Sequence, residues 1–217
     1  MTGPNGDVLQ IAALSLRVAL LATVVAAALG IPAGIWLGST AFAGRRALLA
    51  VLNTALALPT VVVGLAIYLL LSRHGPLGAL GLLFTWQAVV VAEIVLAFPI
   101  AASLSAAAVQ AVDPRVRRTA LTLGAGPLRT GRAVACEARL ALFAAVAVAF
   151  GRVLSEVGAV LIVGGNIRHE TRTLTTAITL ATSQGDFTLA VALGLILLAL
   201  ALTVNAVLQL LQGRGDA

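Results

Sequence analysis

The sequence predicts an all-α integral membrane protein with five transmembrane helices. Its 217 residues are 60% hydrophobic and only 10% charged, whereas about one quarter of the residues of a soluble domain are charged. The apolar residues gather in five continuous runs, each near the roughly 20 residues that a helix needs to cross a bilayer. These runs do not alternate apolar with polar residues, which excludes a transmembrane β-barrel. Helices are the remaining way to satisfy the backbone in lipid.

The predicted spans follow one another through a single transmembrane domain, residues 1–217. They cover residues 13–38, 47–71, 87–110, 137–163 and 187–211. Pro59 and Pro99 interrupt the second and third spans. Proline in a membrane helix commonly produces only a kink, and the alternative is that the break shapes a conduction path. Gly64 and Gly158 are expected to allow close packing between helices.

Arginine predicts the orientation, because cytoplasmic loops of membrane proteins carry an excess of basic residues. All 14 basic residues are arginine. One side of the predicted topology carries Arg45, Arg46, Arg115, Arg117, Arg118, Arg129, Arg132 and Arg214, and the other carries Arg73, Arg168 and Arg172. We therefore expect the N-terminus outside, the C-terminus in the cytoplasm, and residues 111–136 in a cytoplasmic loop.

This cytoplasmic loop, residues 111–136, carries signals for two short helices. Asp113 and Pro114 suit the N-cap and the first position of a helix, and Gly124 suits a left-handed C-cap. Pro127 can then start a second helix. The pattern predicts a helix, a glycine turn and a second helix at the membrane surface. Two interpretations remain, a loop that only sets topology or a docking element for a cytoplasmic partner.

Three ionisable residues, Glu93, Arg152 and Glu156, lie deep in the apolar runs. Charge is costly there, and a functional role is the default hypothesis. Arg152 and Glu156 are four residues apart, so they share a helix face. One interpretation is a neutralised pair that positions the fourth span, with Glu93 as an alternative partner. The other is that Arg152 lines a path for an anion, beside a carboxylate that keeps the binding weak.

The connection between the last two spans, residues 164–186, is rich in glycine and threonine. Threonine hydroxyls and exposed glycine amides can line a polar entrance for a hydrated oxyanion. The alternative is a plain solvated loop. The residues expected at this outer mouth are Gly164, Gly165, Asn166, Thr175 and Thr176.

Other function classes find little support in the sequence. The single cysteine and the two histidines lack the spacing of a metal site, so we expect no metal. No catalytic motif is present, so we expect no catalytic residue and no enzyme. The arginines flank apolar runs and do not form a stripe on a polar fold, which argues against nucleic acid. The first basic residue, Arg17, lies within the first apolar run, and we expect no cleaved signal peptide.

The cytoplasmic loop resembles the motif that ABC-importer permeases share: Glu-Ala-Ala, three residues, Gly, nine residues, Ile-x-Leu-Pro. Gly124 matches the glycine and Ala120 the second alanine. Arg118 and Thr119 stand in the places of Glu and the first Ala, Val134 stands in the place of Ile, and the Leu-Pro end is replaced. The resemblance implies that a coupling helix here docks an ATPase through Arg118, Thr119, Ala120, Leu123, Gly124 and Ala125.

Three longer segments resemble one subfamily of these proteins, the tungstate importer permeases, whose relatives transport molybdate or sulfate. They are SLRVALLAT (15–23), LALPTVVVGLAIYLLLSRHGPLG (56–78) and GRVLSEVGAVLIVGGNIRHETRTLTTAITLATSQGDF (151–187). The resemblance implies a type I importer permease in the inner cell membrane. It also implies an oxyanion, most specifically tungstate, that an extracytoplasmic binding protein delivers.

The same resemblance implies the partners of this chain. They are a second copy in a homodimer and two cytoplasmic ATPase subunits that carry ATP and magnesium. The chain has no phosphate-binding Walker A motif, so we expect it to bind no cofactor itself. The alternatives are a permease for molybdate, sulfate or another small anion and, more remotely, a stand-alone channel or secondary transporter. A channel has no need of the loop, and the two halves show no inverted repeat.

Overall fold

The computed structural model describes residues 4–213, and all regular structure within them is helical. The helices are α1 (Pro4–Ser39), α2 (Arg45–Leu56), α3 (Thr60–Leu71), α4 (Trp86–Ala111), α5 (Pro114–Thr122), α6 (Pro127–Glu137), α7 (Arg139–Leu154), α8 (Gly158–Gly164), α9 (Leu174–Ser183) and α10 (Phe187–Gly213), with a short 3-10 turn at Gly78–Leu80. Arg214, one of the arginines that predicted the orientation, lies outside the described residues.

The long helices α1 and α4 form the centre of the fold. A stripe of glycines at every fourth position of α1, Gly30, Gly34 and Gly38, faces small residues of α4. A methyl group added at Gly34 would lie 2.5 Å from both the carbonyl oxygen of Ala102 and Cβ of Ser105. Small residues spaced in this way let two helix backbones approach closely. The two helices therefore pack closely along the C-terminal part of α1.

Three helices, α1, α4 and α10, are long and apolar enough to cross a membrane. Two helix pairs reach the necessary length and hydropathy only together: α2 with α3, bent by 100°, and α6 with α7, bent by 73°. The described residues thus allow three to five crossings by length and composition. The first, third and fifth predicted spans coincide with α1, α4 and α10, and the count of five stays a prediction.

The second predicted span, 47–71, is divided at Pro59, where the sequence predicts an interruption. The helix α2 ends at Leu56, and α3 begins at Thr60 after Pro59 as its N-cap. Proline disfavours helical backbone in the residue before it and cannot donate a hydrogen bond to the preceding turn. Pro99, by contrast, lies inside α4 without interrupting it, so the expected interruption of the third span is not seen.

The fourth predicted span, 137–163, is also divided, which corrects the expectation of one helix. After α7 ends at Leu154, residues 155–157 leave the helical path, and α8 begins at Gly158. The connection predicted over 164–186 holds a helix, α9, because Thr173 and Thr176 form a reciprocal capping box at its start. We refer to residues 155–157 as the break.

The two ends of the bundle differ in what they carry. One end joins the C-termini of α1 and α4 to α5 and α6 around a 200 Å³ cavity whose lining includes Gly38, Val109 and Val134. At the other end Phe84 N–H donates to the carbonyl oxygen of Val163 at 3.0 Å. This second end also holds the start of α1 and the connection that leads into α9.

Candidate functional site

The helices α5 and α6 form the helix, glycine turn and helix that the sequence predicts. The Asp113 side chain accepts a hydrogen bond from Arg115 N–H at 2.8 Å, which caps α5. Gly124 has a φ of 77°, in the left-handed region that favours glycine. The N–H groups of Gly124 and Ala125 donate to the carbonyl oxygens of Leu121 and Ala120, each at 3.0 Å. These bonds close α5 and turn the chain into α6.

The outer surface of this α5–α6 element is apolar at its tip and basic around it. Leu123 is 81% exposed and Leu128 is 89% exposed. Thr130 and Val134 of α6 are buried and anchor the element to the bundle. Of the predicted docking residues, Arg118, Thr119, Leu123 and Gly124 are exposed and Ala120 and Ala125 are half-buried. An exposed leucine pair that is fixed from below is suited to contact another protein.

The structure brings Arg152 and Glu156 together at the break. Arg152 Nη1 donates to Glu156 Oε2 at 2.7 Å, while Glu156 Oε1 accepts from Ala159 N–H at 3.1 Å. The Glu156 side chain is 3% exposed and the Arg152 side chain is 40% exposed. The carboxylate therefore joins the end of α7 to the start of α8 and leaves the guanidinium as the accessible charge.

The third buried ionisable residue, Glu93 of α4, takes no part in that ion pair. No ion pair joins it to Arg152, and its Oε2 has no hydrogen-bond partner among residues 4–213. Because an unpartnered polar atom in an apolar interior is costly, Glu93 is a second functional candidate near the break.

The two interruptions of the predicted spans lie side by side. A methyl group added at Gly158, the first residue of α8, would lie 3.0 Å from Oγ1 of Thr60, the first residue of α3. A methyl group at Gly64 would lie 2.7 Å from Cα of Ala159. The expected packing role of both glycines is confirmed. Pro59, at the start of α3, is thus close to the break, and the two half-helices pack against each other.

The predicted outer-mouth residues lie in a tightly bonded connection. Gly165 and Asn166 adopt left-handed backbone, with φ of 70° and 51°. The Gly164 carbonyl oxygen accepts from Thr171 Oγ1 at 2.6 Å. Asn166 Oδ1 accepts from Arg172 Nε at 3.2 Å. These contacts fix the connection as a folded unit, which differs from the plain solvated loop considered above.

The threonines at the start of α9 are buried and bonded to protein groups. Thr173 and Thr176 cap α9 reciprocally, and Thr175 Oγ1 donates to the Glu156 carbonyl oxygen at 2.7 Å. Leu174 N–H donates to Oγ of Ser15 on α1, also at 2.7 Å. In this structure the Thr175 hydroxyl joins α9 to the break and the Thr176 hydroxyl caps α9, so both hydroxyls are already bonded to protein groups.

Sequence reasoning missed the α1 residues that complete this region. Ser15 binds the start of α9, Gln10 Oε1 lies 2.8 Å from His169 Nδ1, and Asp7 pairs with Arg168. The partners of Ser15 and Gln10 are 159 residues away along the chain. Polar residues in the N-terminal third of an apolar helix were the only signal, and that signal identifies no partner.

The sequence is similar to those of known transport proteins. The sequence matches the family described as "Binding-protein-dependent transport system inner membrane component" over residues 30–215. A probable anion ABC transporter permease protein of Haloferax volcanii is 44% identical over 91% of this chain and 87% of its own length. The tungstate uptake system permease protein TupB of Peptoclostridium acidaminophilum is 42% identical over 92% of this chain and 87% of its own length.

A solved structure shares the fold. It comes from the inward-facing conformations of the MetNI methionine ABC transporter and has a TM-score of 0.74, with coverage of 99% of this chain and 97% of that chain. The two sequences are only 17% identical, so this likeness concerns the fold alone.

Proposed function

This chain belongs to the family of binding-protein-dependent transport system inner membrane components, and we propose that it is the permease subunit of a tungstate importer. The observation that carries the proposal is the 42% identity to a tungstate uptake permease over 92% of the chain. The chain is a multi-pass membrane protein of the ABC permease family, with several apolar helices. Membership in this family implies an ATPase and a substrate-binding protein as partners.

In the proposed complex the α5–α6 element docks the ATPase. This surface presents Leu123 and Leu128 beside basic residues and is anchored by the buried Val134. Two ATPase subunits bind ATP and magnesium and act on two copies of this chain, which bind no cofactor. Changing Gly124 to leucine should release a co-purifying ATPase, because the turn needs left-handed backbone. An ATPase that stays bound to this variant at the wild-type amount would contradict the docking assignment.

The proposed orientation has the N-terminus outside and the α5–α6 element in the cytoplasm, because this side carries most of the arginines. Cys136 is the only cysteine of the sequence, and it is exposed at the end of α6. A maleimide that cannot cross membranes should therefore label Cys136 in inside-out vesicles. It should not label Cys136 in intact cells from which the outer membrane or cell wall has been removed. Labelling of intact cells but not of inside-out vesicles would show the opposite orientation.

The proposed path for the anion passes the two interruptions. Arg152 offers a partly exposed positive charge there, and the bonded carboxylate of Glu156 weakens its hold on an anion. Weak binding suits a permease that must release its cargo, since tight capture belongs to the binding protein. Pro59 and Glu93 complete the proposed path, and Gly164 to Asn166 lie in the proposed outer mouth, where the binding protein delivers the anion.

A second candidate is import of another oxyanion, such as molybdate or sulfate. The relative from Haloferax volcanii, at 44% identity, is named only as an anion transporter permease. Tungstate and molybdate are near-isosteric dianions, and sulfate is smaller. Selection among these anions lies chiefly with the binding protein in our proposal, and the permease path supplies a common positive charge.

The deciding experiment measures tungsten and molybdenum by mass spectrometry in cells with and without the gene, at nanomolar supply of both anions. Loss of tungsten alone on deletion, restored by the wild-type gene, supports the tungstate importer. Loss of molybdenum alone moves the proposal to the second candidate. If deletion changes the content of neither metal, both tungstate and molybdate are ruled out as the substrate. Uptake that survives collapse of ATP would instead favour a stand-alone channel or secondary transporter.

A further inference from the structure

Thr175 connects α9 to the break between α7 and α8. Its Oγ1 donates a hydrogen bond of 2.7 Å to the carbonyl oxygen of Glu156, and both residues are buried. A carbonyl group where a membrane helix is interrupted lacks water and needs a partner from the protein. Thr175 supplies this partner from a different helix, 19 residues further along the chain.

Thr175 bonds to the backbone of Glu156, and the side chain of Glu156 bonds to Arg152. The carboxylate accepts from Arg152 at 2.7 Å and from Ala159 N–H at 3.1 Å. Glu156 is therefore bonded to α7, to α8 and to α9. Because Arg152 is the more exposed member of the ion pair, a shift of residue 156 moves the guanidinium that the proposed path presents.

The start of α9 has further contacts of its own, and the Thr175 hydroxyl also lies 2.9 Å from Oγ1 of Thr173. Thr173 and Thr176 cap the helix reciprocally, and Ser15 of α1 accepts from Leu174 N–H at 2.7 Å. Ser15 in turn donates to the carbonyl oxygen of Ile11 within α1. The Thr175 hydroxyl thus extends from an anchored helix end toward the break.

We propose that Thr175 is a positioning residue for anion transport, which acts by holding Glu156 and, through it, the Arg152 guanidinium. This inference rests on the proposed function and gives Thr175 a role different from lining the outer mouth. It also links the outer end of the molecule to the charge at the break. Loss of the hydroxyl should therefore slow transport without affecting the amount of complex.

The test compares three variants of the complete transporter in cells. Thr175→Val removes the hydroxyl at nearly constant volume, Thr175→Ser keeps it, and Thr179→Val is the matched control. Thr179 lies in the same helix, but its Oγ1 donates to the Thr175 carbonyl oxygen within α9. Per copy of complex, Thr175→Val should lower the maximal rate of tungstate uptake about 5- to 10-fold. The serine variant and the control should retain the wild-type rate.

A second readout does not depend on the transported anion. In purified complex, amide hydrogen exchange at residues 156–160 should be faster in Thr175→Val than in wild type and unchanged in the other two variants. Unchanged exchange at the break in Thr175→Val overturns the inference, as does equal loss of transport in the valine and serine variants. If wild-type cells take up no tungstate while the exchange result holds, the proposed substrate fails and the positioning contact stands.

Discussion

The α5–α6 element and the region of the break are built in different ways. The first is exposed and takes its shape from neighbouring residues, since Asp113 caps α5 and Gly124 ends it. The second is buried and depends on residues far apart, because Glu156 is held by Thr175 and α9 is held by Ser15. The difference teaches that the exposed α5–α6 surface is encoded locally, whereas the region of the break is encoded by tertiary contacts.

Replacing a glutamate in each region should show the largest contrast. Glu156→Ala leaves the Ala159 N–H without its buried acceptor and the partly exposed Arg152 without its carboxylate, and loss of such charge-assisted hydrogen bonds costs about 1.5–3 kcal/mol of the free energy of unfolding. The exposed Glu137 at the end of α6 is the matched control, and Glu137→Ala should change that free energy by less than about 0.5 kcal/mol. Denaturant unfolding in detergent measures both. Equal effects would remove the distinction between the regions.

Glycine substitutions should show the next largest contrast. Gly64→Ala places a methyl group 2.7 Å from Cα of Ala159, so the half-helices must separate, at about 1–3 kcal/mol. Gly131, in the middle of α6, has no atom within 4 Å of an added methyl group. Gly131→Ala should raise stability by about 0.5–1 kcal/mol, since alanine favours a helix. A neutral Gly64→Ala in the same unfolding measurement would contradict close packing at the interruptions.

Within the α5–α6 element, backbone conformation should matter more than space. An added methyl group meets no atom within 4 Å at either Gly124 or Gly126, but only Gly124 has left-handed backbone, and Gly126 has a φ of −69°. Gly124→Ala should cost about 1–2 kcal/mol locally and weaken ATPase co-purification. Gly126→Ala should leave co-purification unchanged. If both variants retain the ATPase equally, docking does not depend on the shape of the turn at Gly124.

The smallest effect should come from the cap of α5. Asp113→Ala removes the bond to Arg115 N–H, and loss of an N-cap costs about 0.5–2 kcal/mol of helix stability. Trypsin applied to inside-out vesicles should cut faster at the arginines of α5 in this variant, because cleavage follows local opening. The amount of folded protein in the membrane should stay constant. A lower amount would mean that the element also supports the membrane domain.

The sequence predicts the α5–α6 element well because every signal for it lies within a few residues. Asp113, Pro114, Gly124 and Pro127 each act on backbone next to themselves, and all four occupy the expected positions. The long apolar helices are predicted for a similar reason, since about 20 apolar residues suffice to identify a crossing.

The interruptions could not be assigned in the same way. Both Pro59 and Pro99 lie in apolar runs, yet only the chain before Pro59 leaves the helix, so proline alone does not decide. The break at 155–157 contains no proline, and its bonds come from Glu156 itself and from Thr175. The ion pair with Arg152 follows from a spacing of four, but the contact with α9 does not. The threonines suggested a polar, solvated connection. The sequence does not show the distant residues that bury them.

The glycine stripe on α1 divides the molecule mechanically. Where Gly34 meets Ala102 and Ser105, not even a methyl group fits, so α1 and α4 cannot rotate about their own axes or slide without collision. The same constraint joins α3 to α8, where a methyl group at Gly64 would lie 2.7 Å from Cα of Ala159. The glycines therefore sort the helices into two tightly coupled pairs, α1 with α4 and α3 with α8. Within each pair, one helix cannot turn unless the other turns with it.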